Sequence, residues 1–149
     1  MGRLAHMIGG IEAADTLQTT LASFALGDNL EVLSYTGTAA FTGTGNAGDN
    51  TITAGNNADQ LTGADGNDSL DGGDGIDLLD LRELAGPMAV NLGTRSVSSN
   101  LGSISGGTSK GDGTDTLSNI ENLIGSGSGD TLVGSAGDNV LDGAQGGDV

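Results

Sequence analysis

Residues 45–80 read as four blocks of nine: GNAGDNTIT (45–53), AGNNADQLT (54–62), GADGNDSLD (63–71) and GGDGIDLLD (72–80). Position six of these blocks is Asn50, Asp59, Asp68 and Asp77, and position eight is Ile52, Leu61, Leu70 and Leu79. The pattern returns as KGDGTDTLS (110–118) and passes through a short unit, NIENLI (119–124). It then continues as GSGSGDTLV (125–133), GSAGDNVLD (134–142) and GAQGGDV (143–149). There position six is Asp115, Asp130, Asn139 and Asp148, and position eight is Leu117, Leu132 and Leu141. A fixed internal period marks a repeat architecture and decides the fold before any single motif does.

The spacing has a direct structural reading. Positions one to six are Gly, Asn, Asp and other small residues, which permit the left-handed backbone of a tight turn. Positions seven to nine form a short strand whose middle side chain points inward while its neighbours point out. One unit buries nothing by itself. Two units complete one turn of a flattened solenoid, and turns stacked by parallel pairing enclose a thin aliphatic core. Residues 18 apart in the sequence then lie above one another.

That stacking sets Asn50 over Asp68 and Asp59 over Asp77. In the second block the short unit shifts the count, so Asp115, Asp130 and Asp148 fall on one side and Glu121 and Asn139 on the other. Bare carboxylates stacked at roughly the 5 Å spacing of strands repel one another. A hard divalent cation reverses the sign of that interaction. Ca²⁺ takes six to eight oxygens in irregular geometry, and Gly-rich turns offer backbone carbonyls beside the carboxylates.

GGDGIDLLD and GADGNDSLD match G-G-x-G-x-D-x-U-x, and on these residues the chain resembles the RTX (hemolysin-type) calcium-binding nonapeptide repeats. Residues 14–46 resemble the degenerate leading turns of such proteins. MAVNLGT (88–94) followed by 113–134 resembles the way their repeat blocks resume after an insertion. The resemblance implies an all-β fold, a parallel β-roll (right-handed β-solenoid), that folds on binding calcium after its parent protein leaves a bacterium through type I secretion machinery. It implies that the position-six residues are ligands, joined by carbonyls and side chains from positions one to four. Gly63, Asp65, Gly72, Asp74, Asn56 and Asp112 are the second set. Asn replaces Asp at Asn50 and Asn139, Asn57 replaces Gly at position four, and an insert at 81–109 interrupts the ladder above Asp68 and Asp77. Fewer ions than repeats are therefore expected, roughly two to five.

Composition excludes the main competitors. The 149 residues include 29 Gly, one Tyr, two Phe and no Trp or Cys, and 20 acidic residues face four basic ones for a net charge of −16. Leu, Ile, Val and Phe together make up 33 residues, too few for a core of aromatic anchors and near the border of disorder. Nucleic acid needs a Lys/Arg footprint, and no basic residue lies between Arg3 and Arg82. Anionic membrane surfaces are disfavoured for the same reason, and no run of ~18 apolar residues would insert. Absence of Cys removes disulfides, thiolate metal sites and Cys nucleophiles.

Catalysis is not expected. His6 is the one histidine, no Ser has a partner to activate it, and the paired acids lack the aromatics that line a glycan cleft. Gly43-Thr-Gly-Asn-Ala-Gly48 fits G-x-G-x-x-G without the strand, helix and ribose-binding acid that give it meaning. An EF-hand starting at Asp65 fails, because Leu70 stands where Gly is required and Ile76 where Glu is required. Outward Thr51 and Thr53 begin an ice-binding ladder that Gln60/Thr62, Ser69/Asp71 and Leu78/Asp80 do not continue, so ordinary β-propensity accounts for them.

Residues 1–7, with a second Met at Met7, read as an appended leader, and 8–44 as degenerate leading turns or a cap. Ile11, Ala14, Leu17, Leu21 and Phe24 fit a helical stripe, while the resemblance reads Thr16–Ser23 and Leu30–Tyr35 as strands, the favoured alternative. Residues 45–80 form the first repeat block, 81–109 the insert with a strand at 88–94, and 110–149 the second block. Arg82–Ala85 reads as a loop or single helical turn before Pro87. The chain is expected to be a monomeric piece of a longer secreted, extracellular protein. Two wider roles stay open: accessory module of a secreted polysaccharide-modifying enzyme or protease, or stalk or ligand-binding segment of an adhesin with a polysaccharide or cell-surface ligand.

Overall fold

Wherever the repeat places an aliphatic residue at its eighth position, a strand of three to five residues forms. The computed structural model describes residues 14–93 and 114–149 and the backbone of 101–106. In the leading segment lie β1 (Thr16–Thr19), β2 (Ser23–Ala25), β3 (Val32–Tyr35) and β4 (Thr42–Thr44). The first repeat block gives β5 (Thr51–Thr53), β6 (Gln60–Thr62), β7 (Ser69–Asp71) and β8 (Leu78–Asp80). Then follow β9 (Met88–Asn91), β10 (Leu101–Gly106), β11 (Thr114–Ser118), β12 (Asn122–Ile124), β13 (Thr131–Val133) and β14 (Val140–Asp142). No helix occurs among the described residues. The segment open to a helical or an extended reading forms two strands, β1 and β2, divided by a bend at 21–22, so the single strand expected over Thr16–Ser23 is broken. Leu81 to Leu84 closes as a single hydrogen-bonded turn (3.0 Å).

From β1 to β8 and again from β11 to β14, successive strands fall in opposite sheets, as an 18-residue turn demands. One sheet has the order β1-β3-β5-β7-β11-β10-β9-β13 and the other β14-β12-β8-β6-β4-β2. Ile52 pairs with Leu70 and Leu61 with Leu79, so the 18-residue register is met in both sheets. The architecture is a parallel β-solenoid.

The core between the sheets is a double column one side chain thick. Leu33, Ile52, Leu70 and Leu117 line one sheet, and Leu61, Leu79 and Leu123 face them from the other, all fully buried. Each such side chain contributes about 1.5–3 kcal/mol. Near the leading end, the stacked rings of Tyr35 and Phe41 (4.4 Å between centroids) add the bulk that aliphatic residues supply elsewhere. Gly43 sits at the inward position of β4 because the Phe41 ring fills the space its side chain would take. At the other end Leu141 occupies an inward position yet is 39% exposed, since β14 is the edge strand of its sheet among the described residues.

The insert corrects one expectation. It does not break the ladder above Asp68 and Asp77. Strand β11 pairs in parallel directly with β7, setting Leu117 on Leu70, and β12 pairs directly with β8, setting Leu123 on Leu79. The intervening chain is instead an antiparallel meander, β9-β10-β11, which occupies the far edge of β11. Strand β13 therefore pairs with β9, Leu132 on Val90, and not with β11. The physical reason is edge supply. Parallel pairing with β7 extends both core columns, and the meander then uses the only edge β11 has left. The interruption falls one turn later than the spacing implies and in one sheet only.

Candidate metal centre

The turns that join the two sheets carry the position-six side chains, and these point into the turns. Asn50, Asp59, Asp68, Asp77, Asp115 and Asp130 are all buried. One carboxylate oxygen of each turn is tied to the backbone of the turn before it. The Phe41 N–H donates to Asp59 Oδ1, Asn50 N–H to Asp68 Oδ1, Asp59 N–H to Asp77 Oδ1 and Asp68 N–H to Asp115 Oδ1, each at 2.8 Å. Where the short unit supplies no Asp, Glu121 reaches across and its Oε2 accepts the Asp77 N–H at 2.9 Å. Met88 and Asp130 donate to Asp130 Oδ1 (2.8 Å) and Asp148 Oδ1 (2.9 Å). The position-six acid is thus a backbone cap for its neighbour, a role the need for negative charge alone does not reveal.

The second oxygen differs from turn to turn. In Asp59 it accepts the Gly55 N–H (2.8 Å), and in Asp130 the Ser126 N–H (2.7 Å). In Asp68 and Asp77, 2% and 0% exposed, Oδ2 is buried without a hydrogen-bond partner. Burial is the main reason the Asp68 carboxyl is pushed up to about 7, with the charges of Asp115, Asp49 and Asp65 adding to it against the Asn50 N–H. Asp77 rises to about 6 for the same main reason, with Asp59, Glu121 and Asp71 adding to it. A buried anionic oxygen without a donor is costly, of order 1–3 kcal/mol or more for a charged group. It calls for a cation.

The surroundings suit a hard one. Among the described residues no three His, Cys, Asp or Glu side chains converge on one point, so any ion must draw on backbone oxygens as well. Carbonyls of the preceding turns pack against the Asp68 and Asp77 turns: that of Gly48 faces Gly66, that of Asn57 faces Gly75, and that of Gly55, facing Gly73, accepts the Asp74 N–H (3.0 Å). Carboxylate plus carbonyl is a calcium donor set, not a zinc or copper one. Gly63 and Gly72 lie against Asp68 Oδ2 and Asp77 Oδ2 so closely that a Cβ on either would collide with the carboxylate. This is the physical reason for Gly at position one.

The other predicted residues are distributed less favourably. Asp65 is half-buried, Asn56 and Asp74 are exposed, and Asp148 is exposed at the open end. Asp112 lies outside the described residues. Asn139 is half-buried, its amide donating to the Glu121 carbonyl (2.7 Å). Asp115 and Asp130 share a sheet face as expected, but β10 and β9 separate them, so the two are not stacked.

Residues not singled out from the sequence also shape the site. Ser126, fully buried, bonds Asp130 through both its N–H and its hydroxyl. Asn46 bonds the carbonyls of Gly27 and Leu30, each at 2.8 Å. Asp80 is buried and bidentate to Arg82 (2.9 and 2.6 Å), whose hydrogen bonds hold its carboxyl below the usual range and pin the exit from β8. The available signal for Ser126 and Asn46 was their shared position two.

Comparison with known proteins agrees with this chemistry. The family model described as RTX calcium-binding nonapeptide repeat matches in four copies, over residues 44–79 and 111–149. Searches among curated proteins and among solved structures return no match. The matched segments span half of the chain and carry the position-six ladder, and the chain belongs to the family of RTX calcium-binding nonapeptide repeats.

Proposed function

We propose that the domain is a calcium-dependent folding module of a secreted bacterial protein, structural in role and not itself catalytic. The observation that carries this reading is the pair of buried, donorless oxygens on Asp68 and Asp77 in a chain of net charge −16. Without calcium, repulsion along the carboxylate columns opposes a core only one side chain thick, and the chain expands. With calcium, ions between turns neutralise the columns, and binding free energy becomes folding free energy. Extracellular calcium modules bind at about 10⁻⁴–10⁻³ M, above cytosolic calcium. Such a chain leaves the cell unfolded through a type I channel and orders outside as a monomer. The family's members are typically secreted, and among the described residues no helix is long and apolar enough to cross a membrane.

Far-UV circular dichroism during a calcium titration from EGTA tests this, with magnesium as control. The expected result is a cooperative gain of β-structure near millimolar Ca²⁺ that Mg²⁺ does not produce. A spectrum already β-rich in EGTA and indifferent to calcium would contradict it.

A further inference from the structure

The repeats are not equivalent, and their backbones divide them into two kinds. In one kind the position-two N–H closes back onto the position-six side chain: Asn46 onto Asn50 (2.7 Å), Gly55 onto Asp59 (2.8 Å), Ser126 onto Asp130 (2.7 Å) and Ser135 onto Asn139 (2.7 Å). In the other kind, position two is left-handed and position four has a positive φ. Ala64 and Gly66 have φ of 74° and 120°, and Gly73 and Gly75 have 86° and 153°. No position-two N–H reaches the carboxylate there. That of Gly73 goes instead to Asp71 Oδ1 (3.2 Å). These two turns are the ones whose Oδ2 atoms are buried without a donor.

Three of the four closed turns also contain a substitute for a cation. Asn50 Nδ2 donates to the Leu30 carbonyl (3.2 Å), and Asn139 Nδ2 to the Glu121 carbonyl (2.7 Å). An amide N–H thereby offers its positive end to a neighbouring turn's carbonyl, the kind of oxygen calcium would collect. Around Asp130 the Ser126 hydroxyl donates to Oδ1 (2.8 Å), so both carboxylate oxygens are satisfied. A third left-handed turn, 143–148, has Ala144 and Gly146 at φ of 62° and 142°. Its Asp148 is exposed, and its Oδ1 accepts the Asp130 N–H (2.9 Å).

We infer that, among the turns described in full, calcium is required at 63–68 and 72–77, through Asp68 and Asp77, and that the turns 45–50, 54–59, 125–130 and 134–139 satisfy their own position-six side chains and take no ion. This allocation rests on the calcium reading above and narrows it. The Asn-for-Asp and Ser-at-two replacements are then functional. Among these turns they confine the calcium requirement to the middle of the stack, where both core columns pass.

Calorimetric titration of the full chain with CaCl₂ tests the allocation. The ion count of the wild type is expected to fall by one in D68N and by one in D77N, and to stay unchanged in D59N and D130N. An ion lost in D59N or D130N, or a count unchanged in D68N and D77N, overturns the allocation while calcium binding stands. No calcium uptake by the wild type would strike the calcium reading itself, and the allocation with it. A measurement without variants guards against loss of fold: Gd³⁺ bound in place of calcium broadens nearby amide resonances. Broadening centred on 63–77 is expected, and equal broadening over 125–139 would contradict the allocation.

Discussion

Ala64 and Ala144 hold left-handed backbones, φ 74° and 62°, at the position where the next repeat has Gly73 at 86°. A Cβ there costs about 1–2 kcal/mol, offset in part by the greater entropy glycine loses on folding. Ala64→Gly is expected to stabilise the calcium-loaded domain by roughly 0.5–1 kcal/mol, read as a rise in denaturant midpoint. At the same scale, Asp68 and Asp77 give the metal-free domain a pH dependence of definite sign. Their folded-state values of about 7 and about 6 lie above the ordinary 3.8. The folded state therefore keeps protons that the unfolded chain has released, and stability falls as pH rises from about 4 through 7. In EGTA the β-signal is expected to grow as pH drops from 8 to 5. With saturating calcium, which holds both groups as anions, it is expected to stay flat from 8 to 7.

At the scale of elements, equivalent positions in the repeat have unequal weight. Leu79 lies between paired strands on both sides and is fully buried, whereas Leu141, two strands on in the same column, is 39% exposed. Leu79→Ala is expected to cost about 2–5 kcal/mol and Leu141→Ala under about 1, both measured by denaturation in calcium. The period made most of this column legible in advance: an aliphatic residue every ninth place can only line a shared core. Strand pairing at 18 residues followed from the same count. The meander did not, because an antiparallel excursion has no period and its edge is chosen only once β7 and β11 have met. The leading segment was ambiguous for a related reason. Leu17, Leu21 and Phe24 satisfy a helical spacing, yet β1 gains parallel pairing with β3 only when extended. The distinction between open and closed turns was also out of reach, since a peptide's orientation at position two depends on the neighbouring turn as well as on residue type.

Across the whole molecule, the decisive fact is the mismatch between charge and core. Twenty acidic residues against four basic ones are arranged around a double column of aliphatic side chains that no layer reinforces. Repeat proteins draw stability from contacts between neighbouring units, so loss of the interface in the middle withdraws support from the turns on both sides of it. The turns at Asp68 and Asp77 sit at that middle, between the leading turns and the second block. Small-angle X-ray scattering of the full chain at neutral pH, in EGTA and then in millimolar calcium, tests the account most directly. For 149 residues an unfolded chain has a radius of gyration of about 40 Å and a compact one about 15 Å, somewhat more for an elongated solenoid. The account predicts a value approaching the first in EGTA and near the second in calcium, whereas one compact profile in both conditions would contradict it.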